Sequence, residues 1–221
     1  MLTKTAEQNE GAEGAPAPRT ELTLCVIPHS AFRIPHSAFR ITAPVSPKKK
    51  FHHKIYKIEV QTMVELRPIT EENFEECVSL DVKEQQQDFI PENMCSLAEA
   101  YVAMTSGDLV PMPFGVYDAE QNVMVGFLML GYCEEGDEDI SEPYYCVWRI
   151  MTDANCQKLG YAKAALEKAI AEAKEMPLGS AAKLCAAYTA DNKAAAALFA
   201  SVGMKAGAPD EDGCVLAIMD L

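Results

Sequence analysis

Apolar and polar positions first fall into register at Val64–Pro68, a short run that predicts a strand. Thr70 then offers a helix N-cap, with Glu71 and Glu72 in the first turn, where carboxylates oppose the positive helix end. Phe74, Cys77, Val78 and Val82 follow at helical spacing. A second helix is expected from near Ser96, with Leu97, Ala100, Tyr101 and Met104 as its apolar face. Phe114–Tyr117 and Val123–Tyr132, separated by the polar stretch Asp118–Asn122, predict an antiparallel hairpin. An acidic loop, Glu134–Glu142, leads to a strand at Tyr144–Met151. Next comes a helix with Ala162, Ala165, Leu166, Ala169, Ile170 and Ala173 on one side. Lys183–Tyr188 reads as a strand, Asn192–Val202 as a helix ended by Gly203, and Cys214–Met219 as the last strand. The order β-α-α-β-β-β-α-β-α-β predicts an α+β domain: a mixed, mostly antiparallel central sheet with helices on both faces. Element order alone names no function.

Before Val64 the patterning disappears. Ile27–Arg33 and Ile34–Arg40 both read IPHSAFR, two identical adjacent copies. Solenoid repeats run to about 20 residues or more and diverge while keeping their apolar positions, so this pair reads as duplicated coding sequence. Small residues and prolines (EGAEGAPAP) and the basic cluster Lys48–Lys50 surround it. Residues 1–62 are therefore expected to be a disordered or spurious extension, and residues 63–221 the functional domain, with Met63 as the native start. The rival reading is a genuine basic arm. All four histidines, His29, His36, His52 and His53, fall in this stretch, two of them copies of one another, and they suggest no metal site.

Composition narrows the class. The chain has 221 residues, 49% of them apolar, enough for one domain with a substantial core. No apolar run approaches the roughly 20 residues that span a bilayer. Leu22–Ile27 lacks the basic flank and cleavage site of a signal peptide. The eight cysteines are scattered without a CxxC pair, so neither a zinc ribbon nor a redox motif is indicated. Reduced thiols in a cytoplasm are the expectation. The net charge of −14 hides an asymmetry: residues 1–62 hold nine Lys/Arg against five Asp/Glu, and the rest hold ten against 28, a balance of −18. Such a field repels nucleic acid and attracts small cations, although it also simply favours solubility.

The chemistry concentrates at Tyr144–Ala173. A strand ends at Met151, and Gln157-Lys158-Leu159-Gly160-Tyr161-Ala162 opens the following helix. Unpaired N–H groups at a helix N-terminus, with a glycine that allows close approach, suit a pyrophosphate. The segment has neither the GKS/T end of a Walker loop nor the GxGxxG fingerprint of dinucleotide binding.

At these residues the sequence resembles the GNAT superfamily of N-acetyltransferases. Gln157, Gly160 and Ala162 match the family's Gln/Arg-x-x-Gly-x-Gly/Ala pattern. Asp191-Asn192-Lys193 and Leu198-Phe199-Ala200-Ser201-Val202-Gly203-Met204 resemble its Asn…Leu-Tyr-x-x-x-Gly-Phe segment, so the likeness spans about residues 64–221. The resemblance implies acetyl-coenzyme A as cosubstrate and no metal. It implies that the backbone of Ile150, Met151 and Thr152 holds the pantetheine arm, and that Gln157 and the N–H groups from Lys158, Leu159, Gly160, Tyr161, Ala162 and Lys163 hold the pyrophosphate. Asn192 and Phe199 would contact the cosubstrate from the far side.

Two positions depart from the family pattern. Phe199 stands where many relatives place a tyrosine acid, and Cys146 stands where others carry a glutamate base. The remaining proton routes are a water chain, Tyr188, or a carboxylate from the first helices, with Glu84 the candidate. Leu66–Thr70, Val82–Gln86 with Phe89, Ser96–Tyr101, Pro113–Gly115 and Trp148-Arg149 resemble the diamine/spermidine branch. That branch implies a small cationic amine acceptor, with Glu84, Glu99 and Trp148 lining its site and Asp139 and Glu142 as further carboxylates. No nucleic acid or membrane partner is expected, and a homodimer is common in such folds. Two alternatives remain: acetylation of a protein, a peptide or another small amine, and a non-catalytic acyl-CoA sensor.

Overall fold

The hairpin lengthens into the backbone of the molecule, β2 (Val110–Asp118) and β3 (Val123–Cys133), and β3 is buried along almost its whole length. A computed structural model of the chain describes residues 64–221 except 108 and 138. The expectations for residues 1–62, for a start at Met63 and for the four histidines lie outside the described residues. Around the hairpin stand β1 (Val64–Pro68), β4 (Tyr144–Thr152), β5 (Lys183–Thr189), a two-residue β6 (Lys205–Ala206) that the sequence pattern did not predict, and β7 (Cys214–Asp220). They form one seven-stranded sheet in the order β1-β2-β3-β4-β5-β7-β6, antiparallel at every junction except β4–β5. This is the mixed, mostly antiparallel α+β sheet that the pattern predicts.

Helices α3 (Tyr161–Lys174) and α4 (Lys193–Ser201) cover one face, over a core of Leu128, Leu130, Tyr145, Leu166, Leu184 and their neighbours. Helices α1 (Phe74–Val78) and α2 (Asn93–Ser106) cover the other face, over Phe127, Met129 and Met151. None of these helices is long and apolar enough to cross a membrane.

The first two helices differ from expectation. Helix α1 is one turn, and its N-cap position is Asn73. Thr70 and Asn73 instead make a local turn: Asn73 Oδ1 accepts from the Thr70 amide at 2.7 Å, and Asn73 Nδ2 donates to the Pro68 carbonyl at 3.0 Å. Beyond α1 the chain is drawn against the loop after β4, where the Ala154 amide donates to the Asp81 carbonyl at 2.8 Å. Val82 packs on the core from that irregular segment, not from a helix.

Helix α2 is rotated from its predicted face. Leu97 and Ala100 point inward, but Tyr101 is 66% exposed and Met104 59% exposed. The inward positions include polar Asn93 and Ser96, both buried. Asn93 Nδ2 donates to the Cys77 carbonyl at the end of α1 at 2.8 Å, so a side chain that lowers apolar content is what locks α2 to α1.

Candidate active site

Strand β4 pairs with β5 only over Tyr144–Cys146 against Lys183–Cys185. From Val147 to Thr152 its β5-side edge has no strand partner, so backbone amides and carbonyls there face a wedge. Within this free stretch β4 carries a bulge: Arg149 opposes Met129 and Val147 opposes Leu130, leaving Trp148 extra. Trp148 and Arg149 consequently both serve the α2 side. Trp148 packs on the clusters under α2, and Arg149 Nη2 donates to Glu99 Oε2 of α2 at 2.6 Å. Behind β4, Gly126 of β3 lies so close that a Cβ there would sit 2.4 Å from the Met151 carbonyl oxygen.

The loop from Asp153 to Gly160 ends at the N-terminus of α3. Lys158 (φ 65°) and Gly160 (φ 91°) take left-handed conformations, the alternation that turns successive N–H groups toward one concavity. Among the described residues no acceptor takes the backbone N–H groups of residues 158–163, and Lys158, Leu159 and Gly160 are exposed. Free donors, the helix dipole and glycine together make an anion cradle.

The side chains around this cradle have uneven roles. Tyr161 is turned inward, and its hydroxyl donates to Asp118 Oδ2 at 2.5 Å, so only its backbone remains for a ligand. Asp118, fully buried at the hairpin turn, also accepts from the Glu120 and Gln121 amides at 2.9 Å each and from Gln121 Nε2 at 2.9 Å. Burial pushes the Asp118 carboxyl up, but the donors of Tyr161, Gln121 and Glu120 outweigh it and hold the group below its ordinary value. Gln157 is also committed: its Nε2 donates to Gln86 Oε1 at 2.8 Å and to the Thr152 carbonyl at 3.1 Å. It therefore pins the segment after α1 to the loop before α3. Lys163 lies 3.8 Å from Glu167.

Between these parts opens a cleft of about 390 Å³, lined by Lys83, Gln85, Gln86, Phe89, Gln157, Lys158 and Asn192–Ala194. Lys83, Lys158 and Lys193 line it, no carboxylate does, and none of the three is ion-paired with a described residue. In a domain with a balance of −18, this is a local positive field beside the free N–H groups. Lys83, Lys193 and the Gln86 bridge were not singled out from the sequence; they are far from the loop in the chain and converge only in the fold. Asn192 lines the cleft as expected, but its Oδ1 accepts from the Ala195 amide at 3.0 Å and caps α4.

The acid–base candidates are spread out. Phe199 is 4% exposed in the core, its ring 5.7 Å from that of Tyr188, which is itself 8% exposed. Burial, reinforced by Cys133, pushes the Cys146 thiol up to about 12, so it stays protonated at neutral pH. Glu84 is exposed in the 3-10 turn Glu84–Gln86; its neighbours line the cleft but Glu84 does not. Glu99 is occupied by Arg149, whose side chain is only 10% exposed. Ile150 packs with the α3-side core and Met151 with the α2-side core, which leaves their backbones to face the wedge. In the acidic loop Asp137 accepts from Tyr144, and Glu142 lies 3.8 Å from Lys183.

A model of the Acetyltransferase (GNAT) family matches residues 66–204. No curated protein matches the sequence closely enough to count as a relative. Among solved structures, spermidine N-acetyltransferase from Vibrio cholerae in complex with CoA and spermine is similar over 72% of this chain and 96% of that chain, at 13% identity and a TM-score of 0.52. The GNAT domain of PAT from S. lividans is similar over 72% and 90%, at 19% identity and a TM-score of 0.53. RimL, the ribosomal L7/L12 alpha-N-protein acetyltransferase in complex with coenzyme A, is similar over 74% and 97%, at 13% identity and a TM-score of 0.51. At such identities the likeness is one of fold.

Proposed function

The chain belongs to the acetyltransferase (GNAT) family, and from that membership we propose that it transfers the acetyl group of acetyl-coenzyme A to a primary amine of a diamine or polyamine such as spermidine. One observation carries the cosubstrate half: the unpaired edge of β4 leads through one loop to the free N–H groups of residues 158–163, and Lys158 of that loop lines the three-lysine cleft. Amide groups of a pantetheine arm suit the first, and pyrophosphate suits the second and third. Ile150, Met151 and Thr152 would hold the arm, and Leu159 to Lys163 the pyrophosphate. Lys83, Lys158 and Lys193 would add charge.

The acceptor half rests on charge. A polycation is repelled from a mouth lined by three lysines, so its approach lies on the acidic side of the domain. With Glu99 spent on Arg149 and Glu142 paired with Lys183, the candidate carboxylates left open are Glu84 and, in the loop, Asp139. In the reaction the neutral amine nitrogen bonds to the thioester carbonyl carbon, the C–S bond breaks, and the proton lost by nitrogen balances the one gained by the leaving thiolate. Holding amine and thioester together supplies much of the acceleration. Phe199 donates no proton and Cys146 accepts none, so Tyr188 takes the acid role and Glu84, directly or through water, the base role.

Thiol release from acetyl-coenzyme A by the full chain, assayed with spermidine, spermine, putrescine and a peptide with a free α-amine, tests this. Turnover with the polyamines is expected. Turnover with the peptide alone would sink the acceptor assignment, and tight cosubstrate binding without turnover on any amine would point to an acyl-CoA sensor.

A further inference from the structure

Strand β4 parts from β5 after Cys146 and bulges at Trp148, so the sheet opens beside the place where β4 shifts register against β3. Trp148, the extra residue of that bulge, has no partner on β3. Its carbonyl accepts instead from Arg149 Nη1 at 2.9 Å, while Nη2 of the same guanidinium donates to Glu99 Oε2 of α2 at 2.6 Å. One rigid, planar group therefore holds the bulge with one nitrogen and α2 with another. Stability alone does not account for it. The Arg149 side chain is 10% exposed, burial pulls its pKa below the ordinary value against the pull of Glu99, and Nε is buried without an acceptor among the described residues. A well-packed apolar side chain would fill that space with neither a buried charge nor an unmet donor.

We infer that Arg149, oriented by Glu99, is a positioning residue for acetyl transfer: it fixes the bulge and thereby the direction in which the open edge of residues 147–152 meets the bound thioester. The inference rests on the proposed reading of that edge as the place of the pantetheine arm. Backbone groups inside a sheet are aligned by the strand on either side, but the β5 side of this stretch has none. Its alignment comes from β3 and from the bulge, so an error at Trp148 passes to the groups that would meet the thioester. A misplacement of about 1 Å can cost on the order of a hundredfold in rate. Glu99 touches no substrate in this arrangement; it sets the plane of the guanidinium.

Three variants of the full chain test this. Arg149→Met keeps the length and loses both donors, Arg149→Lys keeps the charge but cannot serve both acceptors in one plane, and Glu99→Gln keeps an oxygen for Nη2. Amide hydrogen exchange without cosubstrate should speed up roughly tenfold in β3 and β4 on either side of the bulge in both Arg149 variants, and less in Glu99→Gln, with β5 and β7 unchanged. In acetyl transfer to spermidine, kcat should fall roughly tenfold or more in both Arg149 variants. KM for acetyl-coenzyme A should change less than about threefold, since the cradle at residues 158–163 is untouched. Glu99→Gln should keep most of the rate. Unchanged exchange around the bulge, a rise spread evenly over β5 and β7 as well, or a wild-type kcat in Arg149→Met would overturn the inference. A wild type that turns over no amine would overturn the reading beneath it as well; exchange, which needs no turnover, tells the two failures apart.

Discussion

Helices α2 and α3 are each fourteen residues long and lie on opposite faces of one sheet, yet only α3 keeps polar side chains off its inward face, apart from one phenol. Helix α3 buries Ala164, Ala165, Leu166, Ala169 and Ala173 and turns Lys163, Lys168 and Glu172 to water. Helix α2 buries Asn93 and Ser96 and turns Met94, Tyr101 and Val102 to water. The side chains of α3 are satisfied inside the chain, its apolar stripe by the sheet and its inward phenol by Asp118, and only the N–H groups of its first turn stay open. Helix α2 is held instead through Asn93, Leu97 and Ala100. The difference teaches that apolar spacing marks the buried face where the inward positions are apolar, whereas an inward polar side chain with a partner, as Asn93 has in the Cys77 carbonyl, breaks that pattern.

The largest effect should come from cutting the polar anchor of α3. Asp118→Ala leaves the Tyr161 hydroxyl and two backbone amides without their acceptor, and urea denaturation should show a loss of about 3 kcal/mol. The same group has a pH signature. Its folded value lies below the ordinary 3.8, so the stability it contributes is present above that value and is lost as pH falls through the folded value. Between about pH 5 and pH 2 the wild type should therefore lose more stability than Asp118→Asn, as read from denaturation midpoints.

The equivalent cut in α2 should cost somewhat less. Asn93→Ala leaves the Cys77 carbonyl with only the Leu80 amide and removes the tie between α1 and α2, and a loss of about 1–2 kcal/mol is expected in the same titration. Charge in the cleft comes next: Lys158→Ala and Lys193→Ala should each raise KM for acetyl-coenzyme A about three- to fivefold, more at low salt, with kcat little changed. The smallest effect sharpens the comparison most. Tyr101→Ala should change the stability of the single chain by less than about 0.5 kcal/mol, whereas a buried aromatic would cost several. A large loss would erase the contrast between the helices.

That contrast also marks what could be read in advance. The span of α3 and its buried face followed from spacing because its inward residues are apolar at regular intervals. For α2, Leu97, Ala100, Tyr101 and Met104 form a consistent stripe, but so do Asn93, Leu97 and Ala100; the choice was made by the Cys77 carbonyl, which no periodicity reveals. The site divides in the same way. The strand end, loop and helix start over residues 144–174 were legible because they are consecutive in the chain. Asp118, 43 positions from Tyr161, and Gln86, 71 from Gln157, were not, because each pairing exists only through the fold. Glu99 was expected to line the acceptor site, but the fold brings Arg149 onto it, a pairing no spacing reveals.

The three-pair junction between β4 and β5 has a mechanical consequence. Nine pairs hold β2 to β3 and seven hold β5 to β7, so the sheet is two well-sewn panels joined by a short seam. Under tension it tears there first, and the panels then stay joined through the core side chains they share and through α3 with the chain leading from it. A molecule lodged in the wedge and bonded to both lips acts as a rivet across that seam. Occupancy would then be legible as tensile strength, with the force needed to part the panels rising when the wedge is filled.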